Sequence, residues 1–163
     1  MSENSTGTNG PSGLGTPSKI RIVVADDHPI FRDGLCRLLA LEEDFEVVAQ
    51  AEDGRQVLDV LQQHEPDILL LDLKMPGLDG LATLQRLQIA KNKTRVIVLT
   101  ASDDKNEFVQ AMKLGTSGIV LKQTATELLI KSIRKVHACS GREAADRDRS
   151  ERSSSSGRSR CSG

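Results

Sequence analysis

Tryptophan and tyrosine are absent from this 163-residue chain, and phenylalanine occurs three times. Aromatic stacking on bases, on which single-strand binders depend, has almost nothing to work with. Cysteine is scarce: three residues, with no CxxC and no Cys/His cluster. That argues against a disulfide scaffold or a zinc finger, and points to a reducing cytoplasm. No apolar run approaches the roughly 18 residues that span a bilayer, and the N-terminus has no signal-peptide stretch. Nor does one charge dominate: 22 Lys+Arg face 23 Asp+Glu, a net charge of -1. A chain built to coat nucleic acid or a membrane would be more lopsided. The length suits one domain better than two.

Composition divides the chain into three. Residues 1–18 contain 15 Ser, Thr, Gly, Asn or Pro, and residues 140–163 contain 8 Ser and 6 Arg. Neither segment can bury enough apolar surface to offset its ordering entropy, so both are expected to be disordered. Residues 19–139 have the apolar content of an ordinary globular domain. Within them, five short runs rich in Val, Ile and Leu read as strands: Ile20–Ala25, Phe45–Ala51, Asp67–Leu71, Arg95–Thr100 and Gly118–Leu121. Runs without alternation suit parallel strands buried on both faces. Helical spacing follows each. Ile30, Phe31, Leu35, Leu38 and Leu39 mark the first helix, with Pro29 in its first turn. Val57, Leu58 and Leu61 mark the second, ending before Pro66, and Leu81, Leu84 and Leu87 mark the third. Phe108, Val109, Met112 and Leu114 mark the fourth, stopped by Gly115, and Leu128, Leu129, Ile133 and Val136 mark the fifth. Five strand–helix units predict a doubly wound parallel α/β sheet with right-handed crossovers.

In such a sheet, ligands bind beyond the carboxyl ends of the strands. The residues placed there are Asp26 and Asp27 after strand 1, Asp72 at strand 3, Thr100 at strand 4 and Lys122 at strand 5. The 45 residues from Asp27 to Asp72 span two units; Thr100 lies 28 further on and Lys122 another 22, one unit each. Three clustered carboxylates repel unless a cation sits among them. Their hard oxygens suit Mg²⁺, which keeps several waters and accepts a phosphate ligand. A carboxylate beside Mg²⁺ can attack phosphorus and form an acyl phosphate. Lys122 and the metal would neutralise the developing charge, and Thr100 can donate a hydrogen bond to a phosphoryl oxygen.

From Lys19 to about Ala138 the chain resembles the receiver domain of two-component response regulators. The marks are Val24-Ala25-Asp26-Asp27-His28-Pro29, then Leu71-Asp72-Leu73-Lys74-Met75-Pro76-Gly77-Leu78-Asp79-Gly80, then Val98-Leu99-Thr100-Ala101, then Gly118-Ile119-Val120-Leu121-Lys122. The Asp-Asp-His-Pro opening is similar to the NarL/FixJ type. The resemblance implies a flavodoxin-like five-stranded sheet of order 2-1-3-4-5 with five helices. It implies Asp72 as phosphoacceptor, and Asp27, Asp72 and the backbone carbonyl of Lys74 as Mg²⁺ contacts, with Asp26 assisting through water. Thr100 is then the switch hydroxyl and Lys122 the phosphoryl-binding ammonium, and a sensor histidine kinase is the donor. Homodimers on phosphorylation are a further implication. The sequence departs from the family pattern at Ile119, where an aromatic ring is usual, and at Gln123, where many receivers carry proline. The helix-turn-helix output domain usual in this subfamily is replaced after Cys139 by Ser and Arg.

Plainer roles stand beside these. Asp26 and Asp27 can cap the helix at Pro29, and Thr100 can serve a helix start. His28 reads as a surface histidine, Lys74 as an exposed loop charge and Cys36 as core filler. The leading expectation is a cytoplasmic phosphorylation switch acting as a stand-alone receiver, not a turnover enzyme, with no direct DNA binding. The alternative is a DNA-binding transcriptional regulator truncated or frame-shifted after residue 139. A haloacid-dehalogenase-type phosphatase wants Asp-x-Asp after strand 1, whereas this chain has Asp-Asp-His. A flavin binder wants aromatic rings the chain lacks.

Overall fold

The computed structural model describes residues 18–124 and 126–152, with side chains through Cys139. Five strands and five helices alternate: β1 Ile20–Ala25, α1 Pro29–Ala40, β2 Phe45–Ala51, α2 Gly54–His64, β3 Ile68–Asp72, α3 Gly80–Ile89, β4 Arg95–Thr100, α4 Lys105–Lys113, β5 Gly118–Leu121 and α5 Thr126–Arg152. The strands form one parallel sheet in the order β2-β1-β3-β4-β5. The order reverses beside β1, which opens a crevice between the carboxyl ends of β1 and β3.

The period-2 geometry of strands sorts each apolar run between two cores. Val23, Ala25, Leu69, Leu71, Val96 and Val98 face α2, α3 and α4. Ile22, Val24, Ile68, Leu70, Ile97 and Leu99 face α1 and α5. Past Arg21 in β1 and Arg95 at the start of β4, each central strand runs apolar until its carboxyl end, where the next polar side chain appears. That is why Asp26, Asp72 and Thr100 reach one edge.

Several sequence expectations are corrected. β3 begins at Ile68 and ends on Asp72. Asp67 stays outside because its carboxylate accepts the backbone N–H of Arg21 at 2.9 Å. The helical apolar positions do not all point inward. Ala111 is the buried residue of α4, while Val109, Met112 and Leu128 are exposed, as are Ile30 and Leu38 on α1. Covering one side of a two-sided sheet needs only one stripe per helix, and these residues lie off it. The final helix continues to Arg152, past the compositional boundary at 139. Residues 142–152 interleave Arg with Glu, Asp and Ala, a pattern that supports helix without a core. Positions 1–17 and 153–163 of the expected disordered segments lie outside the described residues. Among the described residues, no helix is long and apolar enough to cross a membrane.

Candidate functional site

The crevice holds every acid that the sequence placed there. Asp26 is fully buried and Asp72 is 3% exposed, an unusual state for aspartate without a partner. The partner is Lys122. Its ammonium forms an ion pair with Asp26 Oδ2 and lies 3.2 Å from Asp72 Oδ2, to which it donates a hydrogen bond. Burial pushes the Asp72 carboxyl above its ordinary value. The Lys74 N–H bond and the Lys122 charge oppose that shift, and the charge of Asp26 adds to it. Desolvation outweighs the cation here, so the pocket binds the Asp72 charge less firmly than water does.

Local sequence explains the placement. Lys122 N donates to the Thr100 carbonyl, which keeps β5 paired with β4 up to the pocket. The Lys122 ammonium lies 4.6 Å from the ring centroid of Phe31 on α1. That face holds the cation in from water by a cation–π contact. Lys74 N–H donates to Asp72 Oδ1 at 3.1 Å, fixing one carboxylate oxygen while the other meets Lys122. Gly80 N–H donates to the Leu73 carbonyl at 2.9 Å, bringing the first turn of α3 against the loop that follows Asp72. A Cβ at Gly80 would collide with the Asp72 carbonyl oxygen and with Leu73 Cα. Backbone cannot swing aside as a side chain can. Gly80→Ala is expected to lower unfolding free energy by about 1–3 kcal/mol in urea titrations.

Neither Asp26 nor Asp27 caps α1. The N-cap is His28, whose side chain makes no capping bond. Asp26 Oδ1 instead accepts the backbone N–H of His28 at 2.8 Å. The His28 ring is 65% exposed, with Nδ1 lying 3.1 Å from both Asp26 Oδ1 and Asp27 Oδ1. Thr100 is buried, and its Oγ1 accepts the Ser102 N–H at 3.1 Å. α4 starts later, capped by Asp104, so Thr100 has no helix to start. The Lys74 side chain is exposed and lies 3.8 Å from Glu107 Oε1 on α4. Ile119 packs against the α2–α4 core from β5, on the side opposite Val120. Cys36 is half-buried beside the α1–α5 core.

The donor set suits a hard divalent cation. One ligand atom from each of Asp26, Asp27, His28 and Asp72 falls within 4.8 Å of every other. Asp26 Oδ2 and Asp27 Oδ1 are buried without a well-aligned hydrogen bond, although the Lys122 ammonium and His28 Nδ1 lie against them. Clustered hard carboxylate oxygens of this kind fit Mg²⁺. A cavity of about 700 Å³ near Pro66, Asn92 and His137 contains none of these residues, and the chemistry lies outside it.

Sheet order, acid crevice and paired lysine together define a receiver-type α/β domain. Residues 22–134 match the family described as "Response regulator receiver domain". The probable transcriptional regulatory protein NarL of Mycobacterium tuberculosis is 38% identical over 117 residues, covering 72% of this chain and 54% of that protein. Transcriptional regulatory protein DegU of Brevibacillus brevis is 37% identical over 119 residues, covering 73% and 50%. The solved receiver domain of the putative response regulator NarL from M. tuberculosis superposes with a TM-score of 0.69 at 36% identity, covering 77% of this chain and 98% of that one. A LuxR-family DNA-binding response regulator from Staphylococcus aureus gives 0.70 at 27% identity, covering 72% and 98%. The chain belongs to the response-regulator receiver family, on its NarL-like branch. It spans about half the length of the curated relatives it matches.

Proposed function

We propose that the chain is a phosphorylation switch that takes a phosphoryl group onto Asp72 from the phosphohistidine of a sensor histidine kinase in the cytoplasm. The observation that carries this reading is Lys122, whose ammonium bridges two buried carboxylates at the carboxyl edge of the sheet. In the transfer, one Asp72 carboxylate oxygen bonds to phosphorus as the phosphorus–nitrogen bond to the donor breaks. The product is an acyl phosphate. Asp27, Asp72 and the Lys74 carbonyl, with Asp26 assisting through water, would hold Mg²⁺, which would supply charge neutralisation at the phosphoryl oxygens. Lys122 releases Asp72 and turns its ammonium to a phosphoryl oxygen. Thr100 gives up the Ser102 N–H and donates its hydroxyl proton to another.

The resulting movement of Thr100 shifts the β4–α4 loop. The response is a change in partner affinity, homodimerisation included, at the face of α4, β5 and α5. Val109, Met112 and Leu128 stand exposed there. Ile119, with no ring to swing, leaves readout to α4 itself. The test is intact mass after incubation with Mg²⁺ and acetyl phosphate. One added phosphoryl group is expected, with none when Mg²⁺ is chelated; label that persists in Asp72→Ala would overturn the assignment.

A second reading is favoured by the share of the relatives that the chain spans. In it the receiver serves a DNA-binding transcriptional regulator. Coding DNA beyond codon 139 that specifies a Leu-rich helix-turn-helix in another frame would support that reading, and its absence would count against it.

A further inference from the structure

We infer that Arg32 is a positioning residue for the metal-binding acids, acting through the backbone of Asp26. The inference rests on the Mg²⁺-dependent reading above. Arg32 lies on α1 at the buried phase shared with Leu35 and Leu39, and is only 8% exposed. A buried guanidinium demands partners, and this one uses its planar fork three ways. Nη1 donates to the Asp26 carbonyl at 2.6 Å, Nε to Gln50 Oε1 at 3.0 Å and Nη2 to Glu52 Oε1 at 3.1 Å.

Asp26 is held on its other side as well. Its N–H donates to the Ala51 carbonyl at 3.0 Å. Both backbone polar groups of Asp26 are thus tied to the end of β2: Ala51 directly, Gln50 and Glu52 through Arg32. The strap sits where β1 gives way to loop, just past the last residue of the strand. Two successive side chains, Asp26 and Asp27, leave from this point into the crevice. Mg²⁺ tolerates little error in ligand placement, so loosening the Asp26 peptide misplaces both donors together. Lysine keeps the charge but has no fork, and cannot hold the carbonyl and the Gln50 and Glu52 side chains at once.

The test is calorimetric titration of the full chain with MgCl₂, without phosphodonor, beside thermal melts. Arg32→Met is expected to weaken Mg²⁺ binding by about tenfold or more, as loss of a ligand-orienting partner does. Arg32→Lys should fall between Arg32→Met and the wild type. Glu52→Gln, which alters the strap only at its exposed end, should stay within about twofold of the wild type. Should Arg32→Met not fold, Arg32→Lys carries the test. A folded variant of either kind with wild-type Mg²⁺ affinity and only a lowered melting temperature overturns the inference. A wild-type chain that takes up no Mg²⁺ overturns the Mg²⁺-dependent reading instead, and the inference with it.

Discussion

Asp72→Asn will abolish phosphoryl incorporation and leave the protein more stable than the wild type in chelated buffer. The two effects have one cause. Asp72 is nearly buried, and that burial pushes its carboxyl above the ordinary aspartate value. A group with a raised folded-state value favours the fold in its protonated form. Its contribution is fully present below the unfolded value, near 3.9, and is lost as pH rises through the folded value. At neutral pH the wild type therefore carries the full cost of the charged form. Asparagine keeps the shape and the acceptor for Lys74 N–H but has no charge to desolvate. The gain in melting temperature is expected to be on the order of a few degrees at pH 7. It should shrink toward zero as pH falls to about 3.5, below the unfolded aspartate value. Scanning calorimetry across that range checks the sign, and intact mass checks the lost label. A variant less stable than the wild type at every pH would mean that the Lys122 contact outweighs desolvation at Asp72.

That tension between stability and chemistry is also why so much was legible in the sequence. The five apolar runs stop where polar chemistry begins, so Asp26, Asp72, Thr100 and Lys122 stood out as strand ends before any coordinates. Spacing assigned them to successive strand–helix units, and their order along the edge followed from the resemblance to receiver domains. What spacing could not give is orientation within a helix. Val109 and Met112 fit a helical stripe as well as Ala111 does, yet only Ala111 is buried. Periodicity fixes the phase of a helix only when more than one turn is strongly apolar, and α4 is short and mixed. Arg32, and the contact that Phe31 makes with Lys122, were missed for other reasons. A charged residue three before Leu35 and seven before Leu39 carried a signal, because a cation at the buried phase needs a buried partner. The cation–π contact of Phe31 needs Lys122, 91 positions away in sequence, which no local pattern reveals. Gly80 stood in a quoted motif without a role of its own; that role depends on how closely α3 approaches Asp72.

Lys122→Met will produce the largest loss of stability among single changes at the site, and Mg²⁺ will restore part of it. Lys122 is the ammonium that lies against both Asp26 and Asp72, and Asp26 has no exposure to water. Removing one partner of a buried ion pair leaves the other charge uncompensated, at a cost of about 3–5 kcal/mol. Methionine fills the space beside Phe31 but offers neither carboxylate a donor. A divalent cation bound among the acids replaces part of the missing charge, so the variant should gain more from Mg²⁺ in a thermal melt than the wild type does. Two further arms isolate the cause. Asp26→Asn added to Lys122→Met removes the more deeply buried of the two stranded charges, and the double variant should melt above the single one; Glu107→Gln, at the half-buried rim near Lys74, should change little. Phosphorylation gives the functional arm. With Mg²⁺ present, Lys122→Met keeps the nucleophile and the metal ligands but has no ammonium to meet the phosphoryl oxygens. Labelling should slow, and beryllofluoride should add less thermal protection than it gives the wild type. Equal protection by beryllofluoride in both proteins would remove Lys122 from the switch and leave it a structural counter-ion to Asp26.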